Sequence, residues 1–152
     1  KFGFKSIQVN FNLVDQRAAE NGLFDLCQTE GVGIIIRTPL CFGFLSGEYS
    51  NDSTFTTDDH RSRWSPEQIK LWANAHHLFS PVLEADGAQT RVQVALRFCL
   101  SYPNVSTVIP GMLTREHVGE NVVASQLGPL LESEVDALKQ IYQANAFFVS
   151  RP

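Results

Sequence analysis

Two short apolar runs in this chain each lead straight into a glycine-bearing loop, and that pairing constrains the fold more than any other feature. Gly33-Ile34-Ile35-Ile36-Arg37 runs into Thr38-Pro39-Leu40-Cys41-Phe42-Gly43-Phe44-Leu45-Ser46-Gly47, and Val105-Ser106-Thr107-Val108-Ile109 runs into Pro110-Gly111. Short β-branched runs bounded by Gly and Pro read as strands. A chain that alternates such strands with amphipathic helices builds parallel β/α units, because a parallel neighbour needs a long crossover and a helix supplies it. Parallel sheets bind ligands at the carboxyl ends of their strands. Thr114-Arg115-Glu116-His117, soon after the second loop, reads as a helix start whose amides favour an anion. The combination predicts a ligand that carries phosphate.

The rest of the chain fits that alternation. A strand is predicted over 6–11, with Ile7, Val9 and Phe11 at period two. Asp15 is placed to cap the next helix, whose stripe is Ala19, Leu23, Leu26 and Cys27, and Gly31-Val32-Gly33 ends it. From Thr38 to Pro66 the sequence is polar and rich in turn formers, and a loop of that length is usually functional or mobile. Ser65 as cap and Pro66 at the first position start a helix through Phe79. Another runs from about Thr90 to Tyr102 with Val92, Ala95, Leu96, Cys99 and Leu100 on one face, stopped by Pro103. Helices near 115–124 and 133–144 close the chain, the last with Leu131, Val135, Leu138 and Tyr142 as its stripe. Three parallel strands cannot close a barrel, so one sheet edge and much apolar surface await further barrel segments or a partner chain.

Composition narrows the function classes. The 152 residues carry 12 basic and 16 acidic side chains, net −4, which argues against a nucleic-acid footprint. No apolar run approaches the length of a membrane span. Three cysteines, Cys27, Cys41 and Cys99, lack metal-ligand spacing, and Cys27 and Cys99 fall on apolar helical faces; buried thiols in a reducing cytoplasm are expected. His60 sits in a polar loop, and His76-His77 fall on a helix where packing is the expected role. There is no G-x-G-x-x-G fingerprint. The start at Lys1-Phe2-Gly3-Phe4, without Met, suggests a processed or excised segment.

These same residues resemble a family. Ile36-Arg37-Thr38-Pro39-Leu40 with Gly43-Phe44-Leu45-Ser46-Gly47-Glu48-Tyr49 is similar to the seventh-strand segment of aldo-keto reductases. Val105 to Gly111 with Glu120-Asn121 resembles their eighth-strand cofactor segment, and Ile7-Gln8-Val9-Asn10-Phe11-Asn12-Leu13 their sixth strand. Asp59-His60-Arg61-Ser62-Arg63 recurs in a bacterial-type branch. The resemblance implies an α/β fold: the C-terminal segment of a TIM (β/α)8 barrel, about three parallel β/α units over 1–152, incomplete on its own where a whole barrel needs about 250 residues.

It also implies a cofactor, NADP(H). Gln8 would hydrogen-bond the nicotinamide carboxamide, the plain alternative being a solvent-facing glutamine, and Arg37 would flank the ring. Thr38, Pro39, Leu40, Gly43, Leu45 and Gly47 would wrap the pyrophosphate; Ile109, Gly111, Met112, Thr114 and His117 would hold the adenosine and its 2′-phosphate; Glu120 and Asn121 would meet the adenine amine. The family often has lysine at the Gly111 position and arginine at His117, so NAD(H) stays open. Its catalytic tyrosine, lysine, aspartate and histidine come from the first half of the barrel, and Tyr49, Tyr102, Tyr142, Lys70 and Lys139 match none of them. The chain alone is therefore expected to be inactive. Within a complete barrel it would serve carbonyl reduction by hydride transfer. The alternatives are a non-catalytic half-barrel for nucleotide sensing or assembly, and a structural fragment without nucleotide.

Overall fold

The computed structural model describes residues 3–83 and 89–149. Its sheet has three strands, β1 (Ser6–Asn10), β2 (Gly33–Arg37) and β3 (Val105–Ile109), in that order and all parallel. The expected β/α alternation is thus present, with 33–37 and 105–109 side by side. The helices are α1 (Arg17–Glu20), α2 (Leu23–Glu30), α3 (Pro66–Leu83), α4 (Arg91–Leu100), α5 (Arg115–Leu127) and α6 (Glu132–Gln143).

Register sorts the strand side chains onto two faces. Ile34 and Ile36 are buried beneath the helices, with Ile7, Val9, Val105 and Val108 partly buried beside them. Gln8 pairs with Ile35 and Ile35 with Thr107; Asn10 pairs with Arg37 and Arg37 with Ile109. These residues occupy the opposite face. The pairing skips Ser106, a bulge between the Val105 and Thr107 partners. Gly33 accommodates it, since a Cβ there would stand 2.6 Å from Ser106 Oγ.

The core sits between sheet and helices around Phe11, which is fully buried. Its ring stacks on Phe98 at 5.5 Å and meets Phe24 and Tyr102, each at 4.9 Å. Cys27, Cys41 and Cys99 are buried free thiols. Burial pushes the Cys41 and Cys99 thiols well up.

Several local expectations need correction. The helix after β1 is broken, because Gly22 takes a left-handed φ of 80° and separates α1 from α2. The stripe rotates accordingly: Phe24 and Cys27 are buried, whereas Leu26 is 58% exposed. Asp15 does not cap that helix; Gln16 is the cap residue and makes no side-chain cap bond. The Asp15 carboxylate instead grips Arg17 at 2.7 and 2.8 Å. Helix α3 runs past Phe79 to Leu83 with Pro81 inside it. Leu131 is the cap of α6 and 70% exposed, so Val135 and Leu138 carry the buried stripe. The expected caps Ser65 and Thr114 do accept from Gln68 N and His117 N.

Candidate functional site

Both candidate loops hang from strands that end in register. Thr38 follows Arg37 and Pro110 follows Ile109, and Arg37 and Ile109 are paired across the sheet. A small core of Val92, Leu96 and Ala124, with Leu40 and Val108 against it, links the first loop, α4, β3 and α5. Leu40 is thereby a packing residue as well as a loop residue.

The first loop is held in a conformation that few residues adopt willingly. Thr38, Cys41 and Phe42 have φ of 54°, 47° and 58°, and Gly43 and Gly47 follow at 94° and 84°. Non-glycine residues in this region are disfavoured and persist only where their surroundings enforce it. For Thr38 the enforcement is visible: its hydroxyl donates to Asn10 Oδ1 at 2.9 Å, and its carbonyl accepts from Asn12 Nδ2 at 2.9 Å. Asn12 Oδ1 also takes the Val14 amide at 2.9 Å. Asn10 and Asn12 were missed as site residues; two asparagines flanking a buried phenylalanine at a strand end were the signal that could have found them.

The short 310 turn Cys41–Ser46 follows, with Gly43 and Leu45 amides both donating to the Leu40 carbonyl at 2.9 and 3.2 Å. Pro39, Cys41, Phe44 and Leu45 are buried, so Pro39 and Leu45 pack inward and shape the turn. Gly43 is tightly required. A Cβ there would lie 3.1 Å from the Tyr49 ring, at a φ that L-residues avoid. Gly43→Ala is expected to lower stability by about 1–3 kcal/mol, read as a reduced urea midpoint with an unchanged slope.

The second loop is open. Ile109 and Met112 are about half exposed, at 46% and 54%, and Gly111 and Thr114 are exposed. The start of α5 satisfies its own donors. Thr114 Oγ1 accepts from the His117 amide and His117 Nδ1 accepts from the Leu113 amide, both at 3.2 Å. Glu116 is held below the usual carboxylate range by its own amide and then by the Thr114 hydroxyl. Arg115 stands exposed in the same first turn, with Glu116 next to it.

Glu120 and Asn121 lie half-buried one turn further on. Asn121 Nδ2 is buried and has no acceptor among the described residues. A buried amide donor in that state fits a group that brings an acceptor.

Gln8 is exposed on the outer strand. It lines a groove of about 650 Å³ along β1, bordered by Phe4, Leu23, Leu26 and Cys27. This groove is an uncovered sheet edge and lies apart from the 38–47 and 110–121 loops. No cluster of metal-ligating side chains occurs among the described residues. No helix among them is long and apolar enough to cross a membrane.

Comparison with known proteins agrees with this geometry. The model of the Aldo/keto reductase family matches residues 1–143. The chain is 28% identical over 143 residues to a probable voltage-gated potassium channel subunit beta of Oryza sativa subsp. japonica, covering 90% of this chain and 43% of that protein. It is 32% identical over 123 residues to L-glyceraldehyde 3-phosphate reductase of Escherichia coli (strain K12), covering 77% and 35%. Among solved structures, the glycerol dehydrogenase of Gluconobacter oxydans superimposes with a TM-score of 0.78 at 22% identity, over 97% of this chain and 45% of that one. An aldo-keto reductase of Bacillus halodurans in its holo form gives 0.67 at 24%, over 95% and 44%. At these identities the superpositions establish the fold, a segment of a TIM barrel. The chain spans less than half the length of each of these proteins.

Proposed function

The chain belongs to the aldo/keto reductase family, and from that premise we propose that it is the C-terminal, nucleotide-holding part of an NADP(H)-dependent barrel oxidoreductase acting on carbonyls in the cytoplasm. One observation carries the proposal most directly. The left-handed backbone at Thr38 and at 41–43 is built where Arg37 and Ile109 end side by side. Strained, well-anchored backbone at the carboxyl ends of parallel strands is where this architecture places ligand sites. The unpaired Asn121 amide supports the same reading.

A bound nicotinamide would supply the hydride. The chain's own residues would bind and orient it: Gln8 and Arg37 at the ring, the 38–47 backbone at the pyrophosphate, Met112 and Thr114 beside the adenosine, and Glu120 with Asn121 at the adenine edge. Arg115 and His117, together in the first turn of α5, are the residues we assign to attraction of a 2′-phosphate. A second reading, a nucleotide-sensing or assembly module, is favoured by the similarity to a potassium channel subunit beta.

Calorimetric titration with NADP and NAD tests the assignment, on the chain and on a full-length protein containing it. Arg115→Glu is expected to weaken NADP by about tenfold or more, as a like charge beside the phosphate should, and NAD only slightly. Equal losses would remove the 2′-phosphate assignment. Absence of nucleotide binding by both proteins would leave the structural-fragment reading.

A further inference from the structure

Far along the polar loop, the 310 turn His60–Arg63 reaches back onto the 41–47 turn, and Arg61 is the residue that makes the reach. Asp59 fixes one side of its guanidinium, taking Nε at 2.9 Å and Nη2 at 2.6 Å. The plane lies over two rings, Tyr49 at 4.8 Å and Phe55 at 4.6 Å. The remaining nitrogen, Nη1, donates to the Tyr49 hydroxyl and to the Phe42 carbonyl, the latter at 3.4 Å. Neighbouring residues close on the same target. Arg63 lies over the Phe42 ring at 5.6 Å, and the His60 ring meets it at 5.6 Å. Tyr49, which Arg61 holds, is the ring that crowds Gly43.

Phe42 is left-handed with φ 58°, a conformation that a non-glycine residue keeps only where its surroundings enforce it. We infer that Arg61 is a positioning residue that holds the 41–47 turn in its left-handed form from 19 positions away. A planar fork can serve Asp59, a hydroxyl and a carbonyl at once while lying over two rings; an ammonium cannot. The carboxylate half of the device is robust. Asp59 is lowered from the usual 3.8 to about 2, first by its bonds to the Arg61 side chain and then to the Arg61 amide. Protonation should therefore loosen the grip only as pH falls through about 2. That the held turn serves a nucleotide rests on the function proposed above; the holding does not.

Amide exchange followed by NMR at Gly43, Leu45 and Gly47 tests it, because these amides close the turn onto Leu40 and Phe44. In Arg61→Ala their exchange should accelerate about tenfold or more, while the amides of Ile34 and Ile36 keep their protection. Arg61→Lys should fall between. Tyr49→Phe, which keeps the ring and loses the hydroxyl, should move the same three amides less. Unchanged exchange in a folded Arg61→Ala protein would overturn the inference. If that variant does not fold, unchanged exchange in both Arg61→Lys and Tyr49→Phe would do so. Nucleotide titration of the same proteins separates the two ideas. A wild type that binds no NADP removes the proposed ligand and leaves the exchange result to decide the positioning. If the wild type binds, an Arg61→Ala affinity within twofold of it would overturn the idea that the held turn serves the nucleotide, and the exchange result would still decide the positioning.

Discussion

Phe11→Ala is expected to cost about 3–5 kcal/mol, the range for removing a large aromatic from a close-packed core. Phe11 is fully buried, directly after β1, and its ring touches Phe24 of α2, Phe98 of α4 and Tyr102 in the turn after α4. Those elements cannot all close on the void, because Phe24 and Phe98 belong to helices on different β/α units. With single-domain stability ordinarily about 5–15 kcal/mol, a loss of that size puts the variant near its folding threshold. Urea unfolding followed by fluorescence measures it, and Phe11→Leu should recover more than half of the loss. A Phe11→Ala protein as stable as the wild type would show that the three contacts contribute packing without net energy.

The second large effect concerns chemistry. The 152-residue chain should oxidise no NADPH with reactive aldehydes above the buffer rate, whereas a full-length protein carrying it should turn over. The tyrosine acid and lysine that the family resemblance implies have no counterpart among Tyr49, Tyr102, Tyr142, Lys70 and Lys139. Two of these tyrosines also have the wrong electrostatics: burial first of all raises the Tyr102 and Tyr142 hydroxyls away from neutrality, so neither is a ready acid. Protein-dependent turnover by the pure chain would mean that another group protonates the carbonyl oxygen.

What could be read from the sequence was what depends on short-range pattern. Three apolar strands, the caps Ser65 and Thr114, and the closing helices rest on periodicity and on residues adjacent in the chain. What could not be read depends on partners far away in sequence. Gly22 breaks a helix that a stripe of apolar residues seemed to continue, because tertiary packing selects Phe24 over Leu26. The left-handed Phe42 is held by Arg61, and Thr38 by Asn10 at the end of β1 and Asn12 just beyond it.

The bulge at Ser106 bears on how the chain tolerates changes in length. A strand's side chains alternate, so losing one residue from the interior of β1 or β2 would turn the remainder of that strand over and put core residues outside. In β3 the extra residue at 106 already interrupts the alternation, placing Val105 and Val108 together on the core side. A chain lacking Ser106 would keep Val105, Thr107, Val108 and Ile109 on their present faces, and would free the space beside Gly33 that the Ser106 hydroxyl takes up. Of the three strands, β3 alone has a place where a single-codon deletion leaves the wall of the barrel correctly faced.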